Sequence, residues 1–353
     1  MQSFVFTGGH HNSALVLAQY MAKNGHTVYW YGHKRSSRGD LNDSAEYQEV
    51  TASQISFFDL PAGRATLSLT EILKIPGGFM HALKLLRLHK PSAVISFGGY
   101  LGATTALAAA LMGIPVFLHE QTVVAGKANR LIGKVARRVY LTWDSSRQFF
   151  PAKKTLLVGL PLRTSILDAK VKKFFSRKRP TLLVMGGKQG AHVINTFIFN
   201  NLSGLLHHFN IIHQTGTSSE TKDYDRALDL QKNLGSLSDC YLPLGYINEV
   251  EIGTYLKSAD YYLGRSGAHI IYELMLMELK SVLVPLPSTH KSEQLKNAEE
   301  LLALKQGIIF NQSELELNKV VAGVMSLAES RPVKSNLPDD ATKRIYDDIQ
   351  SCL

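Results

Sequence analysis

The fold is indicated by a short stretch near the amino end, FVFTGGH over residues 4–10. Three apolar residues that favour extended backbone run into a pair of glycines, and a helical pattern through Leu15, Ala18 and Met21 follows. The same plan returns in TLLVMGGKQG, residues 181–190, again ahead of a helical pattern. A buried strand that enters a glycine turn and then a helix is how doubly wound α/β domains begin. Two such starts predict two Rossmann-like domains.

Further apolar runs extend each half into a sheet. The predicted strands are residues 27–31, 93–97 and 115–118 in the first half and 211–214 and 281–285 in the second. They are continuous rather than alternating runs, as expected of parallel strands buried on both faces. We place the domains at residues 1–162 and 163–338, with a last helix over 339–353 that belongs to the first domain by the family resemblance given below. Ligands of such sheets bind at the carboxyl ends of the strands, so a cleft between the domains is the expected site.

Composition narrows the class of protein. The 353 residues suit about two domains, and 45% hydrophobic residues exclude wholesale disorder. Two cysteines, Cys240 and Cys352, exclude a disulfide framework and favour a reducing, cytosolic setting. The first residues lack the pattern of a signal peptide, and the longest apolar stretch, 103–118, is too short and broken to span a bilayer.

The excess positive charge is uneven. Residues 1–162 contain 17 Lys/Arg and 8 Asp/Glu, whereas residues 163–353 contain 22 and 21. This asymmetry indicates an anionic partner for the first half, unless it is random surface variation. Nucleic-acid-binding motifs are absent from the sequence. A run of six basic residues, 170–179, is interpreted as a solvated linker face.

Several polar groups follow first-half strands and are candidate site residues. His10, at a turn-to-helix corner, could exchange a proton near neutral pH or be an ordinary polar residue. His119-Glu120-Gln121 ends a strand and indicates either a site or a satisfied hydrogen-bond network. Residues 69–90 interleave apolar and basic side chains, which suits a membrane interface or an ordinary amphipathic helix. Pro76-Gly77-Gly78 is expected to break this segment into a loop and a short helix.

The second half offers a donor-type site. Gly186-Gly187-Lys188-Gln189-Gly190 and Arg265-Ser266-Gly267-Ala268 each precede a helix, whose free N–H groups suit a phosphate or diphosphate. Glu273 could bind a ribose diol or be a solvated helical carboxylate. Asp223-Tyr224-Asp225 matches a DxD pattern, but its helical setting argues against a metal site.

Together and in this order, the motifs resemble the MurG family of peptidoglycan glycosyltransferases, in glycosyltransferase family 28. The resemblance runs from Thr7 to about Leu301. Its carriers are Thr7-Gly8-Gly9-His10, Gly98-Gly99-Tyr100, His119-Glu120-Gln121 with Gly126 and Asn129, Pro161 with Arg163, Gly186-Gly187 with Gln189-Gly190-Ala191, His213-Gln214-Thr215-Gly216, Arg265-Ser266-Gly267-Ala268 with Glu273, and Gln294 with Asn297.

The resemblance implies a GT-B fold, with two Rossmann-like domains facing across a cleft. The implied reaction is an inverting transfer of N-acetylglucosamine from UDP-N-acetylglucosamine to lipid-linked N-acetylmuramyl-pentapeptide. The first domain would bind this acceptor and an anionic membrane surface, and the second would bind the UDP-sugar. The enzyme would be peripheral on the cytoplasmic face of the cell membrane, with no obligatory cofactor or metal and no nucleic-acid partner.

The resemblance also implies residue roles. His10 is the candidate catalytic base. The implied donor-binding residues are Thr7, Gly8, Gly9, Thr122, Arg163, Lys188, Ile247, Ala268, His269, Ile270, Glu273 and Gln294. Within this set Glu273 would hold the ribose, the Ile247 backbone the uracil edge, and Gln294 the sugar. The implied acceptor-binding residues are Gly98, Gly99, Tyr100, His119, Glu120, Gln121 and Asn129.

Four positions at or next to the implied donor site depart from the family pattern: Thr122 stands for an asparagine, Lys188 for a serine, Ile270 for a threonine, and Glu293 for Gln or His. These departures leave three alternatives open. The chain could be a related lipid glycosyltransferase with a diacylglycerol acceptor, a sugar-nucleotide epimerase of similar fold, or a degenerate binding-only paralogue.

Overall fold

The computed structural model describes residues 1–35, 43–61, 74–187, 189–287 and 293–353. The chain forms two compact units, unit 1 from residues 1–162 with 338–353 and unit 2 from residues 163–337. The substrate roles assigned to the two domains stay a prediction.

Unit 1 is built on a parallel sheet. Its strands are β1 (Ser3–Thr7), β2 (Thr27–Gly32), β3 (Ser56–Asp59), β4 (Ala93–Ser96), β5 (Val116–Glu120), β6 (Arg138–Leu141) and β7 (Thr155–Leu157). Their order is β3-β2-β1-β4-β5-β6-β7, and every pair is parallel. The order reverses between β1 and β4, so the turns after these two strands lie at the switch point where such sheets bind ligands.

Helices cover both faces of this sheet. They are α1 (His11–Lys23), α2 (Ala45–Ala52), α3 (Lys74–His89), α4 (Gly99–Leu111), α5 (Lys127–Val135) and, from the end of the chain, Ala341–Cys352. The last of these buries Ile345 and Ile349 against a cluster that includes Phe4 and Phe6. The Tyr140 hydroxyl also donates to its Asp348 carboxylate at 2.9 Å.

Unit 2 repeats the plan. Its strands are β8 (Thr181–Met185), β9 (Asn210–Gln214), β10 (Tyr241–Leu244), β11 (Tyr261–Gly264), β12 (Lys280–Leu283) and β13 (Gly307–Ile309), in the parallel order β10-β9-β8-β11-β12-β13. Its helices are α6 (Thr164–Leu167), α7 (His192–His208), α8 (Asp223–Asn233), α9 (Ile252–Ser258), α10 (Ala268–Leu276), α11 (Glu293–Ala303) and α12 (Leu317–Glu329). The final helix, Ala341–Cys352, is therefore α13. Here the switch point lies between β8 and β11. Two doubly wound parallel domains were predicted, and the topology confirms them.

The expected break at Pro76-Gly77-Gly78 is wrong, because α3 runs unbroken through these residues. Pro76 is the third residue of the helix, where its missing N–H removes no helical hydrogen bond. Residues 69–73 of the predicted amphipathic segment lie outside the described residues. No helix in the described part of the chain is long and apolar enough to cross a membrane.

Candidate functional site

In unit 1, the turns after β1 and β4 lie against each other. Gly8 has φ +134°, and a Cβ added to it would lie 2.7 Å from the Phe97 carbonyl carbon. The Gly9 N–H donates to the Gly98 carbonyl at 3.1 Å. Only glycine fits at Gly8, so the sequence signal at this turn reflects a real steric need. Thr7, just before the turn, is buried, and its hydroxyl has no hydrogen-bond partner among the described residues.

His10 closes this turn and precedes α1. Its Nδ1 lies 3.2 Å from the Phe97 carbonyl oxygen. A carbonyl can only accept, so Nδ1 carries the proton and Nε2 of the neutral ring keeps its lone pair. The structure thereby holds the imidazole in the tautomer that a general base needs.

The polar residues after β5 form a buried network. Glu120 accepts from the Thr122 N–H at 2.9 Å, the Thr122 hydroxyl at 2.8 Å and the Asn129 amide at 2.8 Å. Asn129 in turn accepts from the Gly99 N–H at 3.1 Å. Of the two interpretations offered by the sequence, the geometry favours the satisfied network. This network fixes the turn at Gly98-Gly99.

Two neighbours extend this network into the core. The Gln121 side-chain oxygen accepts from the Ser13 hydroxyl at 2.8 Å, and His119 Nε2 lies 3.0 Å from the Gly159 carbonyl. Both side chains are buried, whereas Tyr100 is half-buried beside His33. A buried side chain can affect an acceptor by positioning the turns that face it. Direct acceptor contact by these residues stays a prediction.

In unit 2, the turn after β8 packs against the segment after β9. A Cβ on Gly190, which has φ +82°, would overlap the Thr215 carbonyl oxygen. The Gln214 amide donates to the Gly187 carbonyl at 2.9 Å. Tight backbone contact therefore fixes the position of this turn. Lys188, a predicted donor-binding residue, lies outside the described residues.

Helix α10 begins beside this turn and brings four predicted donor residues together. Ala268, His269 and Ile270 form its first turn, where N–H groups lack helical partners, and Glu273 follows one turn later. The Ile270 side chain offers no hydroxyl to a phosphate. The backbone N–H groups and the helix dipole are what this helix start offers to an anion.

Glu273 is fully buried and is paired with the Arg163 guanidinium. Its Oε1 accepts from Arg163 Nε at 3.1 Å and lies 3.0 Å from His269 Nδ1. Arg163 also donates to Glu249. Burial alone would raise the pKa of the Glu273 carboxyl, but the Arg163 and His269 charges lower it below its usual value. Likewise, burial opposes the charge of Arg163, but Glu273 and Glu249 raise its pKa.

Glu273 is thus not the solvated helical carboxylate that the sequence allowed. Its Oε2 is buried and has no hydrogen-bond partner among the described residues. A buried, ionised carboxylate with one oxygen unused can accept hydrogen bonds from the hydroxyl groups of a ligand. It can accept more of them if the ion pair with Arg163 opens.

The remaining predicted donor residues lie around these turns. Ile247 follows β10 with its side chain buried. The Gln294 side-chain oxygen accepts from the Leu286 N–H at 3.1 Å, and its carbonyl accepts from the Ser266 hydroxyl at 2.7 Å. Gln294 therefore joins the start of α11 to the loop before α10.

One network escaped the sequence analysis. His192 Nδ1 lies 3.0 Å from the Asp223 carboxylate, which also accepts from Asn195 at 2.7 Å. Asn195 contacts the buried His213 at 3.0 Å, and burial lowers the pKa of His213 to about 3. Asp223 of the DxD pattern is thus a structural acceptor. Within the described residues, no group of three or more His, Cys, Asp or Glu could hold a metal ion. The sequence signal that could have indicated this hydrogen-bond network was the DxD pattern at the start of a helix that follows a glycine turn.

Comparison with known proteins agrees with this architecture. The family model for the glycosyltransferase family 28 N-terminal domain matches residues 6–141, and that for the C-terminal domain matches residues 181–350. A Clostridium botulinum (strain Langeland) protein is 28% identical over 349 residues, 95% of this chain and 94% of the relative. It is named UDP-N-acetylglucosamine–N-acetylmuramyl-(pentapeptide) pyrophosphoryl-undecaprenol N-acetylglucosamine transferase. A Myxococcus xanthus protein of the same name is 29% identical, covering 91% of this chain and 82% of the relative.

Among solved structures, the crystal structure of Acinetobacter baumannii MurG matches with a TM-score of 0.76 and 24% identity, over 99% of this chain and all of that chain. Two doubly wound units with glycine turns at their switch points, matched in this way, define the GT-B fold, and the two family models define the chain as a glycosyltransferase. The chain belongs to glycosyltransferase family 28, as a divergent MurG-type member.

Proposed function

We propose that this enzyme transfers N-acetylglucosamine from UDP-N-acetylglucosamine to undecaprenyl-diphosphate-linked N-acetylmuramyl-pentapeptide, the step from lipid I to lipid II in peptidoglycan synthesis. The observation that carries the proposal is the match, over 95% of the chain, to relatives named for this transfer. The fixed tautomer of His10 supports a base at the acceptor. Through this step the enzyme serves cell-wall biogenesis, and thus cell shape and division.

Unit 2 is proposed to bind the donor. Glu273 would accept the ribose hydroxyls, the Ile247 backbone would read uracil, and Gln294 would contact the sugar. The diphosphate would lie near the start of α10, with Arg163 and Lys188 as its cations. The unused Oε2 of Glu273 and the free N–H groups of α10 support this assignment.

Donor binding then requires an exchange of partners. Arg163 is engaged by Glu273 and Glu249 in the ligand-free chain. A ribose that takes Glu273 and a diphosphate that takes Arg163 would replace the two carboxylate pairs of Arg163 by two charge-assisted contacts with the donor. The pair therefore keeps both groups ionised and in place until the donor arrives.

Unit 1 is proposed to bind the acceptor at Gly98, Gly99 and Tyr100, with Asn129, Glu120, Gln121 and His119 positioning these turns. Thr7, Gly8, Gly9 and Thr122 remain assigned to the donor.

His10 Nε2 would take the proton of the acceptor hydroxyl as the oxygen of that hydroxyl bonds to the anomeric carbon. The bond from that carbon to the diphosphate breaks in the same displacement, and inversion follows. The charge on the leaving UDP is stabilised by the start of α10 and by cationic side chains, without an obligatory metal.

Unit 1 is also proposed to dock on the anionic cytoplasmic leaflet as a peripheral contact. On α3, Met80 and Leu88 are 60% and 70% exposed, close in sequence to Lys84, Arg87 and Lys90. Exposed apolar residues beside cations suit a bilayer interface. The excess of 17 Lys/Arg over 8 Asp/Glu in residues 1–162 supports it. In vesicle sedimentation, equal binding to neutral and anionic vesicles would refute the electrostatic part.

The transfer itself is tested with radiolabelled UDP-N-acetylglucosamine and a water-soluble muramyl-lipid analogue. We expect a disaccharide lipid. Product only with UDP-glucose and diacylglycerol would move the assignment to that lipid glycosyltransferase. UDP binding without any product would support a binding-only paralogue, and recovery of an epimerised UDP-sugar would support an epimerase.

A further inference from the structure

A basic segment, residues 170–179, lies on unit 2 and takes no part in the proposed transfer. It contains six Lys/Arg and no Asp/Glu. The rest of unit 2, over residues 163–337, contains 14 Lys/Arg and 17 Asp/Glu. Positive charge is thus concentrated in one short segment of a unit that is otherwise net negative.

The basic segment is solvated, as expected, but it is not a linker between the domains, because it belongs to unit 2 and is anchored there. The Lys172 N–H donates to the Ser258 hydroxyl at 2.8 Å. The Asn210 amide donates to the carbonyls of Arg177 and Arg179, at 3.1 and 3.0 Å. Asn210 begins β9, so the segment runs along the amino ends of the strands. The proposed donor residues lie at the carboxyl ends, so the segment is accessible while donor is bound.

The lysines of the basic segment are available to an outside anion. Arg177 and Arg179 donate to the carbonyls of Ser236 and Leu206. No residue of the basic segment forms an ion pair with any carboxylate in the described part of the chain. Lys170, Lys172, Lys173 and Lys178 are exposed. The segment also borders an open cavity of about 260 Å³ shared with Asn210 and Ser258.

The spacing of these lysines selects an extended partner. Eight steps of chain separate Lys170 from Lys178, a span of at most about 28 Å, which exceeds the reach of a single phosphate group. Leu167 and Val171 beside them are 50% and 72% exposed. An array of negative charge above an apolar layer, as in an anionic bilayer, complements this pattern of cations and aliphatic side chains.

The aromatic residues argue against single-stranded nucleic acid. Such partners are held largely by bases stacked on exposed rings. Phe174 is instead stacked on Tyr255, with ring centroids 4.8 Å apart, and carries the Lys172 ammonium over its ring, while Phe175 is buried.

We propose that the basic segment is a second membrane contact, located on unit 2, that docks on the headgroups of anionic lipids. It goes beyond the proposed function, which places membrane docking on unit 1 alone. Each unit then has its own attachment to the surface that carries the lipid-linked acceptor.

The test compares two fourfold variants of the full chain in sedimentation with phosphatidylcholine vesicles, with and without phosphatidylglycerol. One variant replaces Lys170, Lys172, Lys173 and Lys178 by Gln. The matched control replaces Lys305, Lys319, Arg331 and Lys334 by Gln, an equal charge change elsewhere on unit 2. We expect the first to weaken binding to anionic vesicles by about tenfold or more and the control by less than about twofold. Binding to neutral vesicles should not change.

Equal losses in the two variants would overturn the proposal, because net charge alone would explain them. An unchanged affinity for anionic vesicles in the first variant would also overturn it, as would a loss confined to binding of single-stranded RNA. Thermal unfolding checks that both variants fold. Transfer to the water-soluble acceptor should be equal in wild type and both variants. Absence of transfer in the wild type would defeat the proposed function while leaving the vesicle result intact.

Discussion

The glycine turns of the two units have the same position in their sheets but are held by different forces. In unit 1, Asn129 links the Gly99 N–H to Glu120, and amides and hydroxyls satisfy that carboxylate. In unit 2, backbone contact with Thr215 and a hydrogen bond from the Gln214 amide hold the turn, whereas the carboxylate of the neighbouring helix α10, Glu273, accepts from Arg163 through Oε1 only. A carboxylate surrounded by uncharged donors fixes the geometry of its neighbours, whereas a carboxylate paired with a cation can exchange that cation's contact for a charged ligand. The Glu120 network is therefore suited to positioning the turns of unit 1, and the Glu273 pair is suited to exchange with an anionic ligand.

The largest effect should come from His10→Ala in unit 1. Removing the proposed base should lower the transfer rate about 10²- to 10⁴-fold, while UDP binding, which is proposed for unit 2, should hardly change. Single-turnover transfer and calorimetric UDP titration measure the two quantities. His11→Ala is the matched control, because His11 is paired with Glu49 and has no proposed role. Unchanged transfer in His10→Ala would end the base assignment.

Glu273→Gln should disrupt the buried ion pair with Arg163 in unit 2. Removing one member of a buried ion pair leaves Arg163 partly uncompensated, so we expect a loss of about 3 kcal/mol in the free energy of unfolding. UDP affinity should fall as well, because the proposed ribose acceptor loses its charge. Glu249→Gln is the control, since its carboxylate has the same Arg163 partner but is 32% exposed and should cost less. Equal costs in denaturant unfolding would contradict the role of burial.

Asn129→Ala should loosen unit 1 alone. It removes a donor to Glu120 and the acceptor of the Gly99 N–H, leaving both in a buried setting. We expect a loss of about 2 kcal/mol in stability and a raised KM for the acceptor, with donor KM unchanged. An altered donor KM would show that the network does not act through the acceptor turn.

The smallest effect concerns the buried Glu273 and the half-buried Glu46, whose carboxyls should respond oppositely to acid. The lowered pKa of Glu273 means that its stabilisation is present above the ordinary value and is lost as pH falls through the lowered pKa. Burial raises the pKa of Glu46, although Trp30 donates a hydrogen bond of 2.8 Å to its carboxylate. Ionisation of Glu46 therefore destabilises the folded chain as the pH rises through the raised pKa. In denaturant unfolding between about pH 6 and pH 3, Glu273→Gln should flatten the loss of stability in acid, and Glu46→Gln should steepen it. If the free energy of unfolding of both variants depended on pH with the same slope, the opposite pKa shifts of Glu273 and Glu46 would be refuted.

Local pattern was sufficient to predict the two sheets. Continuous apolar runs such as residues 181–185 have one good solution, a parallel strand covered on both faces. The glycine turns were likewise recognisable, because Gly8 and Gly190 occupy conformations and spaces that exclude a side chain.

Pairings distant in sequence could not be predicted from pattern. Arg163 and Glu273 are 110 residues apart, and their ion pair depends on how α10 meets the start of unit 2. The network of Glu120 with Asn129 and that of His192 with Asp223 also depend on side-chain geometry that spacing does not reveal. Pro76 was misread because a proline tolerates the first turn of a helix as well as it breaks later ones.

The placement of α13 has a consequence for how the protein is made. Unit 1 needs Ile345 and Ile349 in its core, yet these residues are synthesised after the whole of unit 2. The ribosome therefore releases a contiguous second unit that can fold at once, while the first unit waits with an apolar groove open beside Phe4 and Phe6. The first domain can therefore close this groove only after α13 has been synthesised.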